Sequence, residues 1–111
     1  MAALRMTTPR LLALRVLLDE PTQERYGLDI ARTAGLEPGT IYPILVAFEG
    51  VGWLTSREEE IDVHAVGRPR RRYYLLTAAG VTAAREALSA AAQRRPAGAW
   101  IPATRLAESA W

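Results

Sequence analysis

The first hydrophobic pattern along the chain is a set of leucines at helical spacing, Leu11, Leu14 and Leu18. Thr8 followed by Pro9 is typical of a helix N-cap and first helical residue, so the pattern predicts that a helix starts here. Further apolar residues flank the leucines, which makes the predicted helix apolar around more than one face. Such a helix either lies at the centre of its own core or is shared with a second subunit.

Two shorter apolar stretches follow and have the pattern of a helix-turn-helix. The first, over 26–34, ends at Gly35, which is placed to terminate a helix. After a short connection containing glycine, the second repeats its apolar residues four and three positions apart. These residues are Ile41, Leu45 and Phe48. We expect Thr40 to cap this helix, because Pro43 would then lie in the first turn, where its missing N–H costs little.

Beyond Trp53 the periodicity changes to alternation, which predicts two β-strands. The strand segments are "WLTSREEEIDV" and "RRRYYLLT", and the loop "HAVGRP" joins them with Gly67 and Pro69 as turn residues. In the second strand, Tyr74 and Leu76 share one face and are expected to point towards the core. The prediction for this region is therefore a single two-stranded hairpin.

A last helix is predicted over 78–95, with Thr77 as its cap and Pro96 as its stop. Its apolar seam is narrow and has too little area to stabilise a lone helix, so it predicts a partner helix from a second subunit. The predicted dimer interface comprises Leu11, Leu14, Val81, Ala84, Leu88 and Ala91. The expected organisation is a domain at 8–77, a dimerisation helix at 78–95 and a tail of uncertain order at 96–111.

Composition excludes several classes of protein. A chain of 111 residues with 50% hydrophobic residues suits one compact domain. Without cysteine and with a single histidine, His64, we expect no disulfide, no metal, no cofactor and no catalysis. The carboxylates beside that histidine alternate between strand faces, and nothing else supplies a nucleophile. Neither a membrane-spanning run nor a signal region is visible, so a cytoplasmic location is expected.

The positive charge of the chain is small in total but is concentrated in one short segment. The formal net charge is only +2, so a nucleic-acid footprint has to come from a local cluster. Such a cluster precedes the second strand and consists of Arg68, Arg70, Arg71 and Arg72. Guanidinium groups on a hairpin tip can straddle a phosphate backbone, although a solubilising loop is the alternative. At the start of the second helix of the helix-turn-helix, Thr40 and Tyr42 can reach phosphates or base edges; alternatively, Thr40 only caps and Tyr42 packs.

Three helices, a hairpin and a closing helix are the parts of a winged-helix DNA-binding domain with an added C-terminal helix. The segments "YGLDIA", "PGTIYPIL", "FEGVGWL" and "RRRYYLLTAAG" together resemble the PadR family of bacterial transcriptional regulators. The short region after the wing resembles the small subgroup with a single C-terminal helix. The resemblance implies a mainly α fold with a small hairpin and a homodimeric repressor. It further implies a recognition helix in the major groove, a wing on the backbone and release by an aromatic small molecule.

One departure from the family affects how DNA would be bound. Members often carry lysine or arginine after the Tyr-Pro-hydrophobic-Leu segment, whereas this chain has Val46 and Ala47. Phosphate contacts are then expected from the wing and from the N-terminus of the recognition helix. The weakly basic helix also leaves an alternative function open, a winged-helix module that binds other proteins without specific DNA binding. Trp100 and Trp111 either line an effector pocket between subunits or dock on the first helix.

Overall fold

The computed structural model of the protein describes residues 4–94. A first helix is followed by a very short strand, two further helices, a hairpin with a one-turn helix in its loop, and a closing helix. The elements are α1 (Thr8–Asp19), β1 (Arg25–Tyr26), α2 (Gly27–Ala34), α3 (Pro38–Gly50), β2 (Leu54–Glu58), α4 (Val63–Val66), β3 (Arg72–Leu76) and α5 (Ala78–Gln93). The predicted fold class, mainly α with a small β-hairpin in a winged-helix order, is confirmed.

The core is built from one face of each main helix and from the inner face of the sheet. The predicted stripe of α3, Ile41, Leu45 and Phe48, is fully buried, and Ile44 beside it is nearly so. Tyr74 and Leu76 point inwards from β3, as the alternation predicts. Burying a large apolar side chain contributes roughly 1.5–3 kcal/mol, so these residues fix how α3 and the hairpin sit against the first two helices.

The start of α1 differs by one residue from the prediction. Thr7, not Thr8, is the N-cap, and its Oγ1 accepts a hydrogen bond from the backbone N–H of Arg10 at 3.3 Å. Pro9 then occupies the second helical position, where its lack of an N–H is equally harmless. Two adjacent threonines give the same capping signal, and only the backbone geometry selects between them.

The start of α3 is also earlier than predicted, which corrects the assignment of Thr40 as its cap. Glu37 is the N-cap residue and Pro38 the first helical residue; the backbone N–H groups of Thr40 and Ile41 both donate to the Glu37 carbonyl, at 2.9 and 3.0 Å. Pro43 therefore lies inside the helix. The carbonyl that a helical proline leaves without a donor is the one four residues back, and here it belongs to Gly39, an exposed residue that water can reach.

The sheet contains a strand that the periodicity did not indicate. The strand order is β1-β3-β2, all antiparallel, and the two residues of β1 pair with the centre of β3, Tyr26 opposite Tyr73. The predicted first hairpin strand is too long, since β2 ends at Glu58. The loop after it forms α4, which is capped by the Asp62 carboxylate and closed by Gly67 in the left-handed region at φ 80°.

The closing helix begins as predicted, with the Thr77 hydroxyl accepting from the Gly80 N–H at 2.9 Å. Gly80 packs directly on the Trp53 carbonyl, where a Cβ would clash. Helix α5 packs along α1 within the same chain. This packing buries Leu14 and Ala84 completely, at 0% exposure. These two predicted interface residues therefore belong to the core of the protomer and cannot offer surface to a partner.

Two further expectations from the sequence concern the C-terminal tail and membrane-spanning helices. Residues 96–111, with Trp100 and Trp111, lie outside the described part of the chain. In residues 4–94, no helix is long and apolar enough to cross a membrane.

Candidate nucleic-acid interface

A basic groove lies between the hairpin and the helix-turn-helix. It encloses about 460 Å³, and no carboxylate lines it. It is lined by Tyr26, Gly27, Leu28, Arg32, Tyr42, Arg68, Pro69, Arg70, Arg71 and Arg72. Five of the six residues predicted for DNA contact thus come together at one surface, and the sixth, Thr40, is exposed in the first turn of α3.

Tyr42 is held in this groove by the glycine that starts α2. A Cβ on Gly27 would lie 2.5 Å from Cε1 of the Tyr42 ring, so only glycine allows the ring to pack there. The rest of the ring faces solvent, with 42% of the residue exposed. Tyr42 is therefore neither a buried core residue nor a free surface residue, and its hydroxyl end is available to a ligand.

Arg68 is paired within the hairpin and is only partly exposed. Its two terminal nitrogens donate to the two carboxylate oxygens of Glu59, at 2.7 and 2.9 Å. The same carboxylate accepts from the backbone N–H of Arg71 at 3.2 Å and from the Tyr73 hydroxyl at 3.3 Å. The Arg68 guanidinium and these further donors lower the pKa of Glu59 to about 2. We call this set the Glu59 clamp; it holds the hairpin loop on β3.

Arg71 is positioned by an aromatic ring from the unpredicted strand. Its guanidinium lies 4.1 Å from the ring centroid of Tyr26, a cation–π contact. Tyr26 in turn meets Tyr73 edge to face with ring centroids 5.9 Å apart. Arg57 lies over the Tyr73 ring at 5.0 Å and pairs with Glu24 at 2.7 Å. This row of stacked side chains orders Arg71 before any ligand arrives.

Arg72 is linked to α3 through a hydroxyl. Its Nη1 donates to Ser56 Oγ at 3.0 Å, and Ser56 Oγ lies 2.8 Å from a carboxylate oxygen of Glu49 near the end of α3. The link joins α3 to both hairpin strands. Arg70 has its side chain exposed, between the groove and the acidic hairpin loop. The four arginines of the cluster thus have four different environments.

Helix α2 is anchored by a residue that sequence analysis missed. The guanidinium of Arg25 donates to both carboxylate oxygens of Asp29, at 2.8 and 3.2 Å, and to the Val16 carbonyl at 3.2 Å. The arginine hydrogen bond lowers the pKa of Asp29. Arg32, on the same helix, lines the groove and was also missed. A lone arginine on a short helix carries no local signal that would distinguish it from a solvated one.

A helix-turn-helix followed by a hairpin, with the basic groove between them, defines the winged-helix class of DNA-binding proteins. The family model of the PadR-like transcriptional regulators matches residues 14–86 of the chain. The protein therefore belongs to the PadR-like family of transcriptional regulators, as the sequence motifs imply. No curated protein sequence matches the chain significantly.

Solved structures of similar fold include PadR family regulators. The Streptococcus mutans protein smu.1704 is 28% identical, with a TM-score of 0.59 over 80% of this chain and 84% of that one. A PadR family regulator from Clostridium difficile is 25% identical, with a TM-score of 0.55 over 78% and 85%. Bordetella bronchiseptica BpsR, whose DNA binding is regulated by 6-hydroxynicotinic acid, is 17% identical with a TM-score of 0.69 over 98% and 78%. At that identity, the likeness to BpsR concerns the fold alone.

Proposed function

We propose that the protein is a homodimeric, cytoplasmic repressor that binds duplex DNA sequence-specifically, with the exposed side of α3 in the major groove and the hairpin on the phosphate backbone. The observation that carries the proposal is the basic groove, in which Tyr42 from α3 lies beside the arginines of the hairpin. The domain at 8–77 would bind DNA, and the closing helix would join two copies.

The electrostatics of the groove support a polyanionic ligand. Five arginines line it, of which, within residues 4–94, only Arg68 is paired with a carboxylate, that of Glu59, although the whole chain carries a formal net charge of only +2. Local clustering of this kind displaces counterions from DNA and makes binding depend on salt. Since the Glu59 clamp occupies the Arg68 guanidinium, Arg70, Arg71 and Arg72 are the hairpin residues expected to contact phosphates.

An apolar cleft between α1 and α5 supports the dimer. The cleft encloses about 360 Å³ and is lined by Thr8, Leu11, Leu12, Arg15, Leu88, Ala91 and Ala92. Leu11, Leu88 and Ala91 belong to the predicted interface and remain partly exposed in the protomer. A two-fold dimer would present two recognition helices to successive major grooves, roughly 34 Å apart, on a palindromic site.

Release by an aromatic small molecule completes the proposal. It rests on the family and on regulators of similar fold, among which BpsR responds to 6-hydroxynicotinic acid. Binding of such a molecule would lower DNA affinity if the ligand favoured a dimer with its two α3 helices wrongly spaced.

The test of the DNA-binding proposal is a measurement of affinity against salt concentration, on DNA from upstream of the gene that encodes the chain. Replacing Arg70, Arg71 and Arg72 with alanine should weaken binding to all sequences. The slope of log affinity against log salt should fall by roughly one unit for each phosphate that the variant no longer neutralises.

The control is Arg85→Ala, which removes one arginine charge from α5, outside the groove, and should leave the slope nearly unchanged. An unchanged slope in the folded triple variant would remove the hairpin from the mechanism. If the unmodified protein shows no salt-dependent DNA binding at all, the result would favour a module that binds other proteins.

A further inference from the structure

The solvent-facing side of α3 is apolar in the middle of the helix, from Tyr42 to Val46. Val46 is 67% exposed, Tyr42 is 42% exposed, and Pro43 between them is also exposed. Residues three and four positions apart share one side of a helix, so these three form one stripe. The opposite side of α3 is buried in the core. The stripe is thus the part of the recognition helix that faces a ligand.

Hydrogen-bonding groups are scarce on this helix. Within Pro38–Gly50 there is no arginine, lysine, asparagine or glutamine. The carboxylate of Glu49 accepts from the Ser56 hydroxyl. Bidentate hydrogen bonds to guanine or adenine, which need those missing side chains, are therefore not available from α3. Beyond the first two turns, which carry the hydroxyls of Thr40 and Tyr42, the stripe offers only apolar contacts.

Small residues leave room beside the stripe. Gly39 and Gly50 have open space where a Cβ would stand, and neither adopts a positive φ. A base edge can therefore approach Val46 closely. Among the groups that base pairs display in the major groove, the C5 methyl of thymine is the apolar one, and apolar side chains contact it.

We infer that α3 reads thymine through its C5 methyl group, with Val46 as the main contact. The inference rests on the proposed function, since it takes duplex DNA as the ligand of the basic groove beside the stripe. In this division of roles, the arginines and the Tyr42 hydroxyl supply affinity, and the valine supplies base preference. Removing the methyl from a contacted thymine should leave the phosphate contacts intact.

The experiment uses the full chain and duplexes that it selects from a random pool. Each selected duplex is synthesised with thymine and with uracil, which differ only by the C5 methyl group. Uracil at a contacted position should weaken binding about fourfold, the effect of exposing one methyl-sized group. Val46→Ala should weaken binding to the thymine duplex and remove most of the difference between thymine and uracil at that position.

Two controls separate a direct contact from other effects. Val66→Ala makes the same change at an exposed valine of α4, outside α3, and should keep the full uracil effect. If uracil acted through DNA stiffness, replacing thymine with uracil would reduce the affinity of Val46→Ala as much as that of the unmodified protein. That result would overturn the inference. Equal binding of the thymine and uracil duplexes would also overturn it. Failure of the proposed function is distinguishable, because no duplex would then be bound better than the random pool.

Discussion

At the scale of single residues, function depends on a few positions where one side chain constrains another. Gly27 admits the Tyr42 ring by having no Cβ, and Tyr26 holds the Arg71 guanidinium over its ring face. Both constraints act before DNA is present, so less side-chain freedom is lost on binding. Gly27 and Tyr26 are therefore expected to affect DNA binding through the side chains that they position.

Replacing Tyr42 with phenylalanine tests whether its hydroxyl contacts DNA. The ring would still pack on Gly27, so the melting temperature should change by less than about 2 °C. Loss of one hydrogen bond of about 1 kcal/mol should weaken DNA binding roughly fivefold. Fluorescence anisotropy measures the affinity, and Tyr74→Phe, which removes a hydroxyl outside the groove, should bind normally. A large loss of stability in Tyr42→Phe would instead make Tyr42 a packing residue.

At the scale of elements, the antiparallel pairing of β2 with β3 forms the hairpin, and polar side chains fix its loop and its position on α3. The Glu59 clamp joins β3 to the loop at Arg68, and Ser56 connects the hairpin to α3. Because these contacts are polar and near the surface, the hairpin loop should respond to pH more than the helical core does.

Acid should loosen the hairpin through Glu59. Its pKa in the folded protein is about 2, below the ordinary value of 4.5, so the carboxylate stabilises the fold above pH 4.5. That contribution is lost as the pH falls from 4.5 towards 2. The melting temperature of Glu59→Gln should therefore lie below that of the unmodified protein at pH 7, and the two should converge near pH 2.

Glu60→Gln is the control for this pH experiment, because Glu60 is an exposed neighbour outside the clamp. It should melt like the unmodified protein throughout. Nuclear magnetic resonance of the side-chain carboxyl carbons gives the titration of Glu59 directly. A midpoint for Glu59 near the ordinary glutamate value would contradict the clamp.

At the scale of the whole molecule, the proposed dimer determines whether two α3 helices can meet DNA together. The cleft between α1 and α5 is where a second copy is proposed to pack, since Leu11 and Leu88 line it from opposite helices. Leu14 and Ala84 support this surface only indirectly, by fixing how α1 and α5 pack within each protomer.

Leu88→Asp tests the dimer. An unpaired charge at a closed apolar interface costs several kcal/mol, comparable with the stability of a small domain. We expect monomers or unfolded chains and loss of operator binding, although the residue lies outside the groove. Light scattering at micromolar concentration measures the oligomeric state, and circular dichroism separates monomers from unfolded chains.

The matched control for this experiment is Ser89→Asp, which adds the same charge at an exposed neighbour. It should remain dimeric. A monomeric unmodified protein, or a fully dimeric Leu88→Asp variant, would rule out this interface.

The sequence by itself determined the features that depend on local pattern. Periodicity predicts the buried residues of α3 and the inward face of β3, and one hydroxyl beside the first N–H groups of a helix predicts the cap at Thr77. Both signals are local in the sequence. The family followed from motifs that are contiguous in the chain. Four of the six predicted DNA-contact residues are likewise neighbours in the chain, Arg68, Arg70, Arg71 and Arg72, and only packing brings Tyr42 to the same groove.

Only the tertiary structure decided the features that depend on partners distant in sequence. The two residues of β1 become a strand because β3 pairs with them, and Arg68 is neutralised because Glu59 lies across the hairpin. The burial of Leu14 and Ala84 depends on α1 packing against α5 within one chain. A helix stripe is apolar whether it packs on its own chain or on another, so periodicity alone cannot distinguish core from interface.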